Sequence, residues 1–306
     1  MMRNWLSGLM IAAVLGSALL TSTGCVRSTR ARTVPIEGIK LPPRFAAAVE
    51  VDNFAGSVHI YGDPNAKEAT VQFKVRPSGP DAPKVGQREE AVTVKATASI
   101  EGTERLLRVS AKAADEPAKD VAVDLFIRVP KVLVTRVRNS GGPVELVRIG
   151  GAVAVENGVG GKPGGDVQLR TGEAMTESST VTTTNGKVLW QVGPGSSGKF
   201  DLVSESGQAQ LDCRVGEVSG VVPDANHYRG TLNSGQNSVS LRSGAGPVEA
   251  RIIENAATLG PDVWDGEPRW PSRPRFIGRL GGYYNDEPAR LTRKKTPPPP
   301  AEEPVR

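Results

Sequence analysis

The chain has 306 residues, with 35 Gly, 24 Pro and only 5% aromatic residues, a balance that points to many short strands and turns. Its net charge of +5 is modest, and no basic stripe interleaved with aromatics supports nucleic-acid binding. Two histidines and two cysteines are too few for the usual multi-histidine or cysteine-cluster metal centres, so no cofactor is expected.

The first element is a targeting segment. Arg3 is followed by an apolar run, Leu6 to Leu20, of about 15 residues, short of the roughly 20 a membrane span needs. It ends in Thr21-Ser22-Thr23-Gly24-Cys25. Small residues before Gly-Cys resemble a lipoprotein box, although Ser22 stands where such boxes usually carry Leu. The resemblance implies cleavage before Cys25 and acylation of that residue. An ordinary signal peptide cut nearby is the alternative. Val26 follows; an Asp there would suggest retention at the inner membrane, so the outer membrane of a two-membrane cell is the expected address. Residues 1–24 are thus a signal peptide and 25–44 a linker. Its Arg27, Arg30, Arg32, Lys40 and Arg44 are either drawn to anionic headgroups or simply solvated.

Ordered structure is expected from Phe45. Residues 45–137 read as longer strands with period-two alternation: Ala48–Ile60, Ala69–Arg76, Ala91–Ile100, Leu106–Ala111 and Val121–Val129. Pro77–Gln87 reads as a surface loop.

From Val137 to residue 253 the strands shorten. A phrase Gly-x-Val-x-Leu recurs in Gly142–Leu146, Gly151–Val155 and Gly165–Leu169, more loosely in Gly186–Trp190, Gly198–Leu202 and Gly207–Leu211, and earlier in Gly56–Ile60. Asn-Gly and Ser-Gly pairs such as Asn157-Gly158, Asn185-Gly186 and Ser206-Gly207 punctuate the copies. Such residues tolerate the left-handed backbone of sharp corners, so Gly141, Gly158, Gly186 and Gly207 are expected to include positive φ. Each phrase is too small to bury its own apolar side, and stacked copies would bury one another. The expected fold is all-β, a single-chain β-solenoid (β-helix) over 45–253, with short Gly-cornered coils over 138–253. Val144, Leu146, Val153, Val155, Val167, Leu169, Val188, Phe200, Leu202 and Leu211 should face inward.

After about Ile253 the pattern changes. The tail 254–306 carries Trp264, Trp270, Phe276, Tyr283 and Tyr284 among Arg269, Arg273, Arg275 and Arg279, and ends near Pro297-Pro298-Pro299-Pro300. Prolines prevent a regular element. The aromatics either cap an exposed edge, dock on an envelope partner or belong to a disordered spacer.

No catalytic motif stands out. Gly158-Val159-Gly160-Gly161-Lys162 fails the phosphate-loop spacing, with Pro163 in place of the Ser or Thr. Gly164-Gly165-Asp166 is not iterated as calcium-binding repeats require. Gly195-Ser196-Ser197-Gly198 is not a nucleophile elbow. His59, between Val58 and Ile60, reads as an outward surface histidine. Glu145 and Asp201 read as outward acids that the sequence cannot pair. Cys213, alternating with Ala209 and Leu211, reads as a small buried residue.

Val123, Leu125 and Ile127 lead to Val129-Pro130, then Val132-Leu133-Val134 and Val137, then Asn139-Ser140-Gly141-Gly142-Pro143-Val144. This succession resembles the putative-adhesin family of bacterial envelope proteins, an adhesin-like β-solenoid domain of unknown function, over about residues 48–250. The family carries no agreed catalytic residues, so the resemblance implies none here. The expected protein is a lipid-anchored envelope scaffold for adhesion or interaction with an envelope protein or glycan, and not an enzyme. A stress-sensing accessory protein is the alternative, and a polysaccharide-active β-helix enzyme the third.

Overall fold

The computed structural model describes residues 31–79, 88, 90–114 and 120–257. These residues are all-β. The strands are β1 (Arg32–Val34), β2 (Ile36–Gly38), β3 (Ala47–Asn53), β4 (Val58–Gly62), β5 (Thr70–Pro77), β6 (Val92–Glu101), β7 (Glu104–Ala113), β8 (Val121–Val129), β9 (Val132–Asn139) and β10 (Gly142–Val147). They continue with β11 (Ala152–Asn157), β12 (Gly164–Thr171), β13 (Ser179–Thr183), β14 (Val188–Val192), β15 (Gly198–Ser204), β16 (Ala209–Cys213), β17 (Val218–Pro223), β18 (His227–Leu232), β19 (Ser238–Ser243) and β20 (Val248–Ile252).

Two large mixed sheets hold them. The nine-stranded sheet runs β1-β5-β8-β4-β10-β12-β14-β20-β16, and the eleven-stranded sheet β17-β18-β15-β19-β13-β11-β9-β3-β7-β6-β2. From β9 to β16 successive strands alternate between the sheets. Their middles are parallel, and antiparallel pairs lie toward three of the four ends, β5 on β8, β6 on β7 and β18 on β15, while the fourth end, β16 on β20, is parallel.

Chain order and stacking order differ at both ends. The pair β3–β4 lies between β7–β8 and β9–β10, and β19–β20 lies between β13–β14 and β15–β16. The second insertion gives β15 a parallel neighbour in β19 and an antiparallel one in β18. No edge is left beside it to recruit another chain.

The core lies between the sheets. Across the nine-stranded sheet, Val58, Val144, Val167, Val188, Val248 and Ala209 fall in one register row, and Ile60, Leu146, Leu169, Trp190, Ala250 and Leu211 in another. Trp190 meets Phe200 of the facing sheet edge-on, with ring centroids 5.4 Å apart. Each buried aliphatic is worth about 1.5–3 kcal/mol before chain entropy is counted. The expected inward residues are all in this core, with Leu211 only partly buried.

Three expectations need correction. Order begins before Phe45, because β1 and β2 fall inside the stretch read as a linker and pair with β5 and β6. Ala48–Ile60 is two strands, β3 and β4, in different sheets. The break comes at Gly56, whose φ of 108° turns the chain from one sheet to the other. At the corner before β10 the left-handed residue is Gly142 (φ 105°) and not Gly141, and Gly207 is not left-handed, while Gly158 and Gly186 are left-handed as expected.

Candidate functional site

One corner of the stack is built from two ladders. The first is glycine. A Cβ on Gly142 would lie 2.4 Å from the Gly56 carbonyl oxygen, one on Gly165 2.6 Å from the Gly142 carbonyl carbon, one on Gly186 2.5 Å from that of Gly165, and one on Gly246 2.4 Å from the Gly186 oxygen. Backbone stacks on backbone here, so side chains are shut out. The second ladder is polar. Asn53, Asn139, Asn157, Thr183, Ser243 and Ser204 end the strands of the eleven-stranded sheet in one register row. All six are buried. Each turns its side chain to the carbonyl beside it. Asn139 Nδ2 donates to Gly56 O (3.1 Å), Asn157 Nδ2 to Gly142 O (2.9 Å) and Gly165 O (2.8 Å), Thr183 Oγ1 to Gly165 O (2.8 Å), Ser243 Oγ to Gly186 O (2.6 Å) and Ser204 Oγ to Gly246 O (2.7 Å). Buried carbonyls at a sharp turn require such donors. These groups are held by the backbone they satisfy, which makes the corner a scaffold.

The outer face of the nine-stranded sheet carries the densest chemistry. Glu145 of β10 lies beside His59 of β4, which lies beside Phe126 of β8. His59 Nδ1 is 3.0 Å from Glu145 Oε2, and its Nε2 is 3.0 Å from Ser57 Oγ. Its ring stacks on Phe126 at 5.0 Å and 8°. Arg170 of β12 donates to Glu145 Oε1 at 2.6 Å. Burial alone would raise the Glu145 carboxyl, but the hydrogen bond and charge of His59, together with Arg170, hold it from an ordinary 4.5 down to about 2.

Ser57, His59 and Glu145 therefore have the connectivity of nucleophile, base and orienting acid. Two features oppose that chemistry. Ser57 is fully buried. Its Oγ directs its proton to Asp124 Oδ1 at 2.8 Å, so it offers His59 a lone pair rather than a proton to abstract. Asp124, also buried, takes the Ser57 backbone N–H and the Arg76 guanidinium as well. The arrangement is a chain of charge-assisted bonds tying β5, β8, β4, β10 and β12 together. His59 faces outward as expected, but it is half-buried in this network.

The outer face of the eleven-stranded sheet is different. Asp201 gathers His227 (2.7 Å), Arg242 (2.6 Å) and Arg229 (3.5 Å). Burial pushes its carboxyl up, and the His227 hydrogen bond and the arginines more than reverse this, so its pKa is lowered. Arg108 and Arg136 flank Glu50 at 2.9 Å each. Arg108, Arg136, Arg138, Arg229 and Arg242 keep 51%, 50%, 65%, 63% and 51% of their side chains in solvent. The acids the sequence could not pair, Glu145 and Asp201, thus lie on opposite outer faces, each in its own cluster.

The other candidates resolve into structure. Cys213 is partly buried against the core, where burial raises its thiol, and its Sγ donates to Val215 O at 3.4 Å. Gly158–Lys162 is a corner with a short 3-10 turn over Val159–Gly161. Ser196 of the Gly195–Gly198 turn is buried, and its Oγ accepts the Met175 N–H at 2.9 Å. Cys25 and the tail aromatics lie outside the described residues. The reading of the sequence missed the copy Gly246-Pro247-Val248-Glu249, which opens β20. Its parallel with Gly142-Pro143-Val144-Glu145 was the available signal.

No family model and no curated protein matches the chain. Among solved structures, a putative cell adhesion protein from Clostridium sporogenes ATCC 15579 aligns over 74% of this chain and 100% of that one, at 11% identity and a TM-score of 0.41. A putative adhesin from Bacteroides fragilis NCTC 9343 aligns over 74% of this chain and 96% of its own, at 11% identity and a TM-score of 0.24. Likeness at these levels leaves the function to be argued from this chain's own residues.

Proposed function

We propose that the protein is exported, is anchored in the cell envelope by lipid on Cys25, and presents a β-solenoid as a surface for adhesion or interaction. In this reading the two sheets are the walls of the solenoid, and each corner-to-corner pair of strands is one coil. The observation that carries the interaction surface is the solvated face of the eleven-stranded sheet. Five arginines on it, Arg108, Arg136, Arg138, Arg229 and Arg242, are each half or more exposed. Half-exposed guanidinium groups clustered on one sheet face suit a partner bearing carboxylates or phosphates, such as an acidic envelope glycan. The reading is one of binding, and the Ser57 hydroxyl, committed to Asp124, does not support a nucleophile at this position.

Two experiments test this. Cells expressing the full chain or its Cys25→Ala variant are fractionated; wild type should partition with membranes and the variant should be soluble. Equal solubility would remove the anchor. The triple variant Arg136→Glu, Arg138→Glu, Arg242→Glu is then compared with wild type on a panel of acidic and neutral glycans. Binding should be confined to acidic members, weaken as salt rises and be lost in the variant. Binding by both proteins alike would sink the surface assignment, and labelling of Ser57 by a fluorophosphonate would sink the non-catalytic part.

A further inference from the structure

The two outer faces are unlike, and the difference is written in the register. On the eleven-stranded sheet the row Arg108, Glu50, Arg136, Ala154, Thr180, Ser240 and Asp201 is polar or small. On the nine-stranded sheet the outward positions include Phe126, Tyr61, Val147 and Leu189. All four are buried, Leu189 completely, although alternation places them opposite the core residues on their own strands. All five residues of β14 are buried. Strands buried on both sides belong to a sheet covered on both faces.

We infer that the outer face of the nine-stranded sheet is the docking site of the C-terminal segment of the same chain, residues 258–306. The described chain ends on this face. After β20 it turns so that Ala256, fully buried, accepts a hydrogen bond from Nε2 of the outward-facing Gln191 at 2.8 Å. The chain that follows is long enough to cover the face. From β14 to β8 is four strand spacings, about 19 Å at roughly 4.8 Å each. Some six extended residues reach that far at about 3.3 Å each. Trp264, seven residues beyond Ala257, is thus within reach of Phe126, and the segment holds 49 residues. Its composition fits the task. Trp264, Trp270, Phe276, Tyr283 and Tyr284 are five of the fourteen Phe, Trp and Tyr residues of the whole chain, a supply that a solvated spacer does not need. The carboxylates of the face are each held by its own basic residues, Glu145 by Arg170, Glu249 by Lys187 and Arg251, Asp124 by Arg76 and Asp63 by Arg128, so the match of segment to face is one of aromatic to apolar surface. In this inference the segment would cover a sheet face, whereas the sequence left edge capping, docking on an envelope partner and a disordered spacer open.

A photo-crosslinker tests this in the full chain. With p-benzoylphenylalanine in place of Trp270, irradiation should join the tail to peptides of β4, β8, β10, β12 or β14 within one chain, giving a product of monomer mass. Cross-links only between two copies, only to residues 1–30 or only to the eleven-stranded sheet would overturn the inference, as would none to these five strands. This measurement does not depend on any variant's stability. The second test is hydroxyl-radical footprinting of the full chain carrying Trp264→Ser, Trp270→Ser and Phe276→Ser. Oxidation of Tyr61, Phe126 and Leu189 should rise about threefold or more, while that of the already exposed Leu133 stays constant. Unchanged protection of the three would assign the face to another occupant.

Discussion

Asn139 donates from Nδ2 to Asn157 Oδ1 across 3.0 Å, joining the ends of β9 and β11, 18 residues apart in sequence, through buried side chains. Both amides also donate to Gly142 O. Asn157→Ala removes the acceptor of one bond and the donor of two others, all in a region closed to water. Gly142 O and Gly165 O retain a second donor each, from Asn139 and Thr183. The expected loss is therefore about 1–3 kcal/mol rather than the full cost of three orphaned groups. Urea denaturation measures it. A loss below about 0.5 kcal/mol would mean that the ladder decorates the corner without supporting it.

The glycine ladder separates two reasons for glycine. Gly160 has φ 76° and open space around an added Cβ, so Gly160→Ala meets backbone strain alone. That should cost about 1–2 kcal/mol. Gly186 has φ 114°, and its Cβ would lie 2.5 Å from the Gly165 carbonyl carbon. Gly186→Ala should cost several-fold more, or prevent folding, because the obstacle is backbone of the neighbouring strand β12. Melting temperatures of the two variants decide it; similar values would show that the coils can move apart.

Much of this was legible locally. Alternation of Val144 with Glu145 and Val153 with Ala154 identified the core rows, because side-chain period in a strand is fixed by backbone geometry. Three of the four corner glycines were legible to within a residue, and Gly207 was not, since no residue beside it is left-handed. At Asn139–Gly142 four small or polar residues compete for the turn, and Gly142 takes the left-handed position because it abuts Gly56. That approach is between residues 86 apart, which no local pattern records. The same limit hid the network of His59 and Glu145, also 86 apart, since which outward residues meet depends on register between strands. Stacking order was illegible for the same reason. The phrases Gly186–Trp190 and Gly198–Leu202 are consecutive in the chain, yet β19 lies between β13 and β15 and β20 between β14 and β16.

The unlike outer faces give a paired substitution test. Val181 of β13 is buried and Thr180, beside Ala154 and Ser240, is exposed. Val181→Asp should unfold neighbouring coils, and Thr180→Asp should change stability by no more than about 0.5 kcal/mol. On the nine-stranded sheet the same alternation should fail. Val167 and Gln168 of β12 point to opposite sides, but both are buried. Val167→Asp and Gln168→Asp should therefore both destabilise, since each buries a charge without a designed partner. A silent Gln168→Asp in thermal melts would mean that this face is open to solvent.

The Glu145 cluster sets an acid limit on the fold. The folded carboxyl is held near 2 against an ordinary 4.5. A depressed pKa means that the folded state binds its proton less readily than the unfolded chain. The resulting stabilisation is fully present above about pH 5 and is lost as pH falls through 4.5 toward 2. A shift of this size corresponds to about 3 kcal/mol at most. The Glu145 side chain is 20% exposed and shares its partners, so about 1–3 kcal/mol is the expected range. Glu145→Gln should lower stability by that amount at pH 6. It keeps an acceptor for Arg170 but removes the charge, so its curve should run flatter than wild type below pH 5. The two proteins should converge near pH 2. Chemical denaturation at pH 6, 4 and 3 reads this directly. A constant gap between wild type and Glu145→Gln across that range would show that the charge on Glu145 contributes nothing and that only its packing matters.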